Sequence, residues 1–169
     1  MRKIFIEENE VYQIDFSDVV WATDKLNTIF HSAKTPLSDV DFIAETEENI
    51  IFVEYKNANI SNAVNPTGFK PLDDKKLSQV VKKYYDSLSY IKAIGKGKDK
   101  KKVYVYILEA PQADSILRGK VSYNLKNRLP FLLQEQNKFQ DSWIDEVKVI
   151  SIDDWNKTYP QFKLSKIEL

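Results

Sequence analysis

Two β-rich stretches limit what this chain can fold into. They are "NIIFVEYKN" (residues 49–57) and "VYVYILEA" (residues 103–110). The second is an almost unbroken apolar run, as in a strand buried on both faces. The first is apolar on both faces until its end, where Glu54 and Lys56 interrupt it. Between them, "DDKKLSQVVKKYYDSLSYIKAIG" carries an apolar stripe at helical spacing through Leu77, Val80 or Val81, Tyr84, Leu88 and Ile91. Asp73 or Asp74 suits its start and Gly95 its end. Strands that need cover on both sides, alternating with helices, define an α/β domain.

The remaining segments extend this pattern. "IFIEE" and "VYQIDF" suit a short opening strand or hairpin. From Ser17, as N-cap, Val19, Ala22, Leu26, Ile29 and Ala33 recur at helical spacing, and Pro36 ends that helix. "VDFIAE" and "NIIFVEYKN" flank the polar "TEEN" as a hairpin. Asn57 to Leu72 is a long loop rich in Asn, Pro and Gly, a kind that is often functional. A mostly helical stretch starts near Pro111 and is interrupted at Pro130. "DEVKVISI" is a last strand and "DDWNKTYP" a short capped helical turn. The expectation is one domain, residues 1–169, with a mixed central sheet flanked by helices on both faces.

Composition narrows the chemistry. With no cysteine and a single histidine, His31, thiolate metal sites and cysteine nucleophiles are excluded and a zinc site has no support. His31 falls near the end of the first helix, where packing or a C-terminal charge is its expected role. No apolar run approaches the roughly 18 residues of a membrane span, and the first ten residues turn acidic before a secretory core develops, so a cytoplasmic location without membrane contact is expected. Lys+Arg and Asp+Glu balance at 25 each, which gives no global pull toward nucleic acid.

The charged end of the hairpin is the informative feature. Side chains alternate along a strand, so Glu54 and Lys56 share a face with Ile50 and Phe52, whereas Tyr55 points the other way. A two- or four-residue loop places Glu45 opposite Ile50, Ile43 opposite Phe52 and Asp41 opposite Glu54, with Cβ atoms about 4.5–5.5 Å apart. An odd-length loop would turn Asp41 to the other face. Two carboxylates that close repel each other, and a hard divalent cation held by them, a backbone carbonyl and water relieves the repulsion. Such a cation binds phosphate oxygens and lowers the pKa of water, while a nearby lysine stabilises charge on phosphate.

Asp41, thirteen residues further on followed by Glu54-Tyr55-Lys56, resembles the metal site of the PD-(D/E)XK nuclease superfamily. The order of helix, hairpin, helix, strand, helix and strand is similar to that family's restriction-endonuclease-like fold over most of the chain. The resemblance implies that Asp41 and Glu54 ligate Mg²⁺ or Mn²⁺, that the carbonyl of Tyr55 completes the protein ligands, and that Lys56 acts on water or the scissile phosphate. It implies a metal-dependent nuclease hydrolysing phosphodiester bonds, with DNA the expected substrate, by metal-activated water; pairing as a homodimer follows by analogy. The alternative is a protein that kept the fold without catalysis and serves as a nucleic-acid-binding or protein-interaction module.

The chain departs from the family pattern in places. Pro36 lies too far ahead of Asp41, which leaves Asp39 as a rival ligand. For the acid that many members carry on the first helix, Asp24 is a better fit than Asp18. Gln79 is followed four residues later by Lys83 where some members have Tyr. Phosphate contacts are expected from Lys76, Gln79 and Lys83 on the second helix, on a face opposite its apolar stripe, and from the basic run Lys96, Lys98, Lys100, Lys101 and Lys102.

Overall fold

The computed structural model describes residues 3–168. Strands β1 (Ile4–Ile6) and β2 (Tyr12–Asp15) form the opening hairpin. They are followed by β3 (Trp21–Thr23), α1 (Leu26–Ser32), β4 (Phe42–Glu45) and β5 (Asn49–Asn57). Then come α2 (Asp74–Ala93), β6 (Lys101–Glu109), α3 (Ser115–Arg128) and α4 (Phe131–Gln136). The chain closes with β7 (Glu146–Ile150), α5 (Ile152–Thr158) and β8 (Leu164–Lys166).

The main sheet is mixed and five-stranded, in the order β3-β4-β5-β6-β7. Its first three strands run antiparallel, and β5, β6 and β7 run parallel. Helix α2 makes the crossover from β5 to β6, and α3 with α4 makes the one from β6 to β7. The central position of β6 explains its composition: Val103 to Leu108 are all buried, because both neighbours and both faces are covered.

The two faces are covered differently. On one, Ile43, Ile50, Phe52, Tyr104 and Tyr106 pack against Leu26 and Phe30 of α1, the stripe of α2, and Val121 and Leu125 of α3. The second face carries one short helix and a small sheet where helices alone were expected. Phe42, Ile51, Val53, Val105 and Ile107 meet Ile14, Phe16, Leu164 and Trp155, that is, α5 together with a three-stranded sheet ordered β1-β2-β8. Strand β8, unassigned from the sequence, is three residues long, too short for alternation to mark it.

The expected first helix is corrected. Only Leu26–Ser32 are helical, and Trp21–Thr23 form an edge strand paired with β4, Trp21 opposite Glu45 and Thr23 opposite Ile43. Val19 and Leu26, read as one stripe, pack in different cores. Ser17 caps nothing; its Oγ accepts a 3.0 Å hydrogen bond from the N–H of Lys3. The free edge of β4 satisfies backbone groups that a helix would have paired internally, and that outweighs a local period. Helix α3 likewise begins at Ser115 rather than near Pro111, with Asp114 accepting from the N–H of Leu117 at 2.8 Å.

The β4–β5 hairpin has the expected even register: Glu45 faces Ile50 and Ile43 faces Phe52. Thr46 and Asn49 close the turn, with Thr46 N–H donating to the Asn49 carbonyl at 2.8 Å and Asn49 N–H donating to Thr46 Oγ1 at 2.9 Å. No helix among the described residues is long and apolar enough to cross a membrane.

Candidate active site

Asp41 stands immediately before β4, and its position is over-determined. Helix α2 holds the preceding segment: Ser38 N–H donates to Asp86 Oδ2 at 2.8 Å and Val40 N–H to Ser87 Oγ at 3.0 Å. Asp41 Oδ2 then accepts the backbone N–H of Tyr55 at 2.7 Å, which clamps it to the far half of β5. Phe42 pairs with Val53 in this antiparallel ladder, so the position before it, Asp41, falls opposite Glu54.

Glu54 lies on the helix-covered face and is buried, 6% exposed. Its Oε1 accepts from Lys83 Nζ at 2.6 Å, whereas its Oε2 is buried without a hydrogen-bond partner. Burial and then the neighbouring Asp41 push its pKa up to about 8, against the opposing pull of Lys83. Burial likewise raises Asp41 to about 6, although Lys83 and the Tyr55 N–H oppose the rise. Burial works against the Lys83 ammonium, yet Glu54 and Asp41 outweigh it, so its pKa is raised.

Asp41 and Lys83 open onto a cleft of about 470 Å³ that Asp24, Asn27, His31 and Asp39 also line. Glu7 and Glu8 of the β1–β2 hairpin close one side, so five carboxylates share the cleft with one lysine. Glu7 is already committed: its carboxylate accepts from the N–H groups of Asn9, Val11 and Tyr12. Such a cleft repels a bare phosphate backbone and attracts cations.

The structure places the other candidates as follows. Asp39 lies close enough to raise the pKa of Asp41 and accepts from Asn27 Nδ2 at 3.2 Å. Asp24 lies ahead of α1, not on it, and pairs with Lys25 at 3.3 Å. Tyr55 turns its ring into the opposite layer, as alternation requires, and its hydroxyl accepts from Asn57 Nδ2 at 3.0 Å. Lys56 is exposed with its ammonium 5.5 Å from the centroid of the Phe69 ring, on the long loop after β5. It is Lys83 that reaches Glu54.

The phosphate-contact residues divide. Lys76 and Gln79 are exposed on α2. Lys83 borders the buried stripe instead of opposing it and turns inward, with its side chain 31% exposed. Three lysines of the basic run are engaged by carboxylates. Lys102 is buried at 2% exposure and paired with Asp141. Lys100 lies 3.3 Å from Glu45 and donates to the Thr46 carbonyl at 2.6 Å, and Lys96 lies 3.8 Å from Glu45.

Gly97 lets this loop settle. At φ +66° a Cβ there would stand 2.8 Å from Ile50 Cγ2, and its N–H donates to Glu45 Oε1 at 3.0 Å. The register then separates the run from the carboxylates: Lys101 pairs with Asn49 and Tyr106 with Glu54, five residues or about 17 Å along the sheet. Buried Glu45 draws Lys96 and Lys100 to it and Asp141 takes Lys102, so these three do not stand free for a phosphate, whereas Lys98 and Lys101 remain exposed.

Lys83, His31, Asn27, Glu7 and Glu8 therefore stand at the cleft although the sequence did not assign them to a metal site. For Lys83 a signal existed: it sits beside Tyr84 and three residues past Val80, at the margin of the buried stripe. For Glu7 and Glu8 none did, because they arrive from a separate sheet.

Among the described residues, no group of three or more His, Asp or Glu side chains is arranged to hold a metal ion. Asp41 and Glu54 offer a pair of hard oxygen donors, and the unpartnered Oε2 of Glu54 fits a cation. The remaining ligands would come from backbone carbonyl, water and substrate. The chain matches no protein-family model, and comparison with curated proteins and with solved structures gives no match.

Proposed function

We propose that this chain is a divalent-metal-dependent nuclease of restriction-endonuclease-like fold that hydrolyses phosphodiester bonds, with DNA as the substrate. The observation that carries the reading is the pairing of two acids at the end of a buried hairpin, one with a buried carboxylate oxygen that nothing in the fold satisfies. Buried polar atoms are nearly always partnered, and a catalytic role or a bound ion is among the reasons for an exception. The antiparallel β3-β4-β5 unit followed by a parallel crossover to β6 supports the fold assignment.

Asp41 and Glu54 would hold Mg²⁺ or Mn²⁺, with the Tyr55 carbonyl as a further ligand. When bound, the cation supplies Lewis-acid activation of water and neutralises phosphate charge. In the hydrolysis, the oxygen of water forms a new bond to phosphorus and the bond to one sugar oxygen breaks. Water gives up a proton to solvent, and the leaving oxygen gains one. The chain's own contribution is to fix the two carboxylates: the Tyr55 N–H orients Asp41, and the walls of β5 and α2 exclude water from Glu54.

One observation favours a second reading, a nuclease-fold protein that binds without cutting. Lys83 already occupies one carboxylate oxygen of Glu54, and Lys56 lies over Phe69. The two readings separate in assays of the wild type and of Asp41→Ala, Glu54→Ala and Lys56→Ala on DNA and RNA, with and without Mg²⁺ or Mn²⁺. Metal-dependent cleavage lost in the two acid variants supports the nuclease. A wild type that cuts nothing with either metal, and variants that bind nucleic acid as it does, leave only the binding module.

A further inference from the structure

We propose that Lys83 on α2, and not Lys56 on β5, is the lysine that meets the scissile phosphate. The proposal rests on the nuclease reading and assigns a residue within that site. Lys83 is the cation that lines the cleft beside Asp41, and its Nζ is 2.6 Å from Glu54 Oε1. An ammonium has three donors, so this bond leaves capacity for a phosphate oxygen. Lys56 sits outside the cleft lining, over the Phe69 ring.

The scaffold under Lys83 is rigid. Neighbouring Tyr84 is fully buried and donates its hydroxyl to the Trp143 carbonyl. One turn back, the Val80 carbonyl accepts the hydroxyl of buried Tyr104 at 2.8 Å. A side chain placed by packed helix is held more firmly than one at the mouth of a long loop. Electrostatics points the same way. A phosphate approaching five carboxylates needs positive charge inside the cleft, and Lys83 supplies it where the two reactive acids converge. Lys83 stays protonated through the step; it neutralises charge that builds on phosphate as the new phosphorus–oxygen bond forms and the old one breaks.

The test uses the full-length chain and a DNA substrate with Mn²⁺, comparing the wild type with Lys83→Ala, Lys83→Arg and Lys56→Ala. Calorimetric Mn²⁺ binding and thermal melting accompany each variant. Lys83→Ala is expected to lower kcat by about 100-fold or more, the usual loss for a charge-stabilising group, with KM little changed and Mn²⁺ still bound. Lys83→Arg, which keeps charge and fold, is expected to recover most of that loss, and Lys56→Ala to act mainly on KM. If Lys56→Ala abolishes cleavage while Lys83→Ala cuts like the wild type, the assignment is overturned and the nuclease reading stands. If Lys83→Ala no longer binds Mn²⁺ or melts out, and Lys83→Arg restores folding without restoring kcat, Lys83 is structural and the assignment is overturned. A wild type that binds Mn²⁺ but cleaves no nucleic acid overturns the nuclease reading and the assignment together.

Discussion

The backbone N–H of Tyr55 donates a 2.7 Å hydrogen bond to Oδ2 of Asp41, which ties the residue ahead of β4 to the strand beside it just past Glu54. The same carboxylate thus has a structural and a chemical task. Asp41→Ala removes the acceptor and leaves an N–H unpaired at a mostly enclosed position, whereas Asp41→Asn keeps an acceptor and removes charge from an acidic cleft. Asp41→Ala is expected to be the less stable of the two by about 1–2 kcal/mol. Urea unfolding of both variants checks this; equal midpoints would show that the bond carries no weight.

Glu54 makes the fold sensitive to pH. Its ordinary pKa of 4.5 rises to about 8 in the fold. Between those values the folded state keeps a proton that the unfolded chain has lost, so stability falls as pH rises through the window. Asp41, raised from 3.8 to about 6, acts in the same direction. Glu54→Gln removes the larger part of this slope and is expected to melt higher than the wild type at the alkaline end, by roughly 2–4 °C for each kcal/mol regained. Melting curves across the window, taken without metal, give the answer; a wild type whose stability is flat there rules the effect out.

Metal binding should show the opposite dependence. A divalent ion at Asp41 and Glu54 must displace protons that burial favours, so its apparent affinity is expected to climb between about 6 and about 8. The gain is up to about tenfold per pH unit for each proton released. Mn²⁺ titrations at the two ends of that window, in buffers of different ionisation enthalpy, count the protons directly. No proton release would mean that the ion binds elsewhere.

The basic run is expected to act on stability before it acts on any ligand. Lys102 is buried against Asp141, which also receives Lys92 at 2.7 Å. Asp141→Ala leaves a buried ammonium without its carboxylate and is expected to cost about 3 kcal/mol. Lys98→Ala, at an exposed loop position, should lie within about 0.5 kcal/mol of the wild type. Denaturant unfolding compares the two, and a similar cost in both would restore the picture of a solvated run.

Trp155 tests the layer that the sequence did not announce. It is fully buried, its ring nitrogen donates to the Phe162 carbonyl at 2.7 Å, and Phe16 meets its ring edge-on at 6.4 Å. Trp155→Ala is expected to cost about 3–5 kcal/mol. A loss under 1 kcal/mol, about what a surface change costs, would show that the three-stranded sheet and α5 do not form a stabilising core with the second face of the main sheet.

What the sequence by itself determined was short-range. The alternation in "IIFVEYK" assigned Glu54 and Tyr55 to opposite faces, which follows from backbone geometry over a few residues, and the register was legible as far as an even loop, which the Thr46–Asn49 turn supplies. The stripe of α2 and the double-sided burial of β6 were legible for the same reason. Only the tertiary structure decided which lysine reaches Glu54, why Lys96, Lys100 and Lys102 turn inward, and what covers the second face. Each of these depends on partners remote in the chain: Lys83 lies 29 residues from Glu54, Lys102 39 from Asp141, and β8 pairs with a strand near the opposite terminus. A buried carboxylate takes whichever cation the packing brings to it, and packing is settled by the whole core, not by the residues on either side.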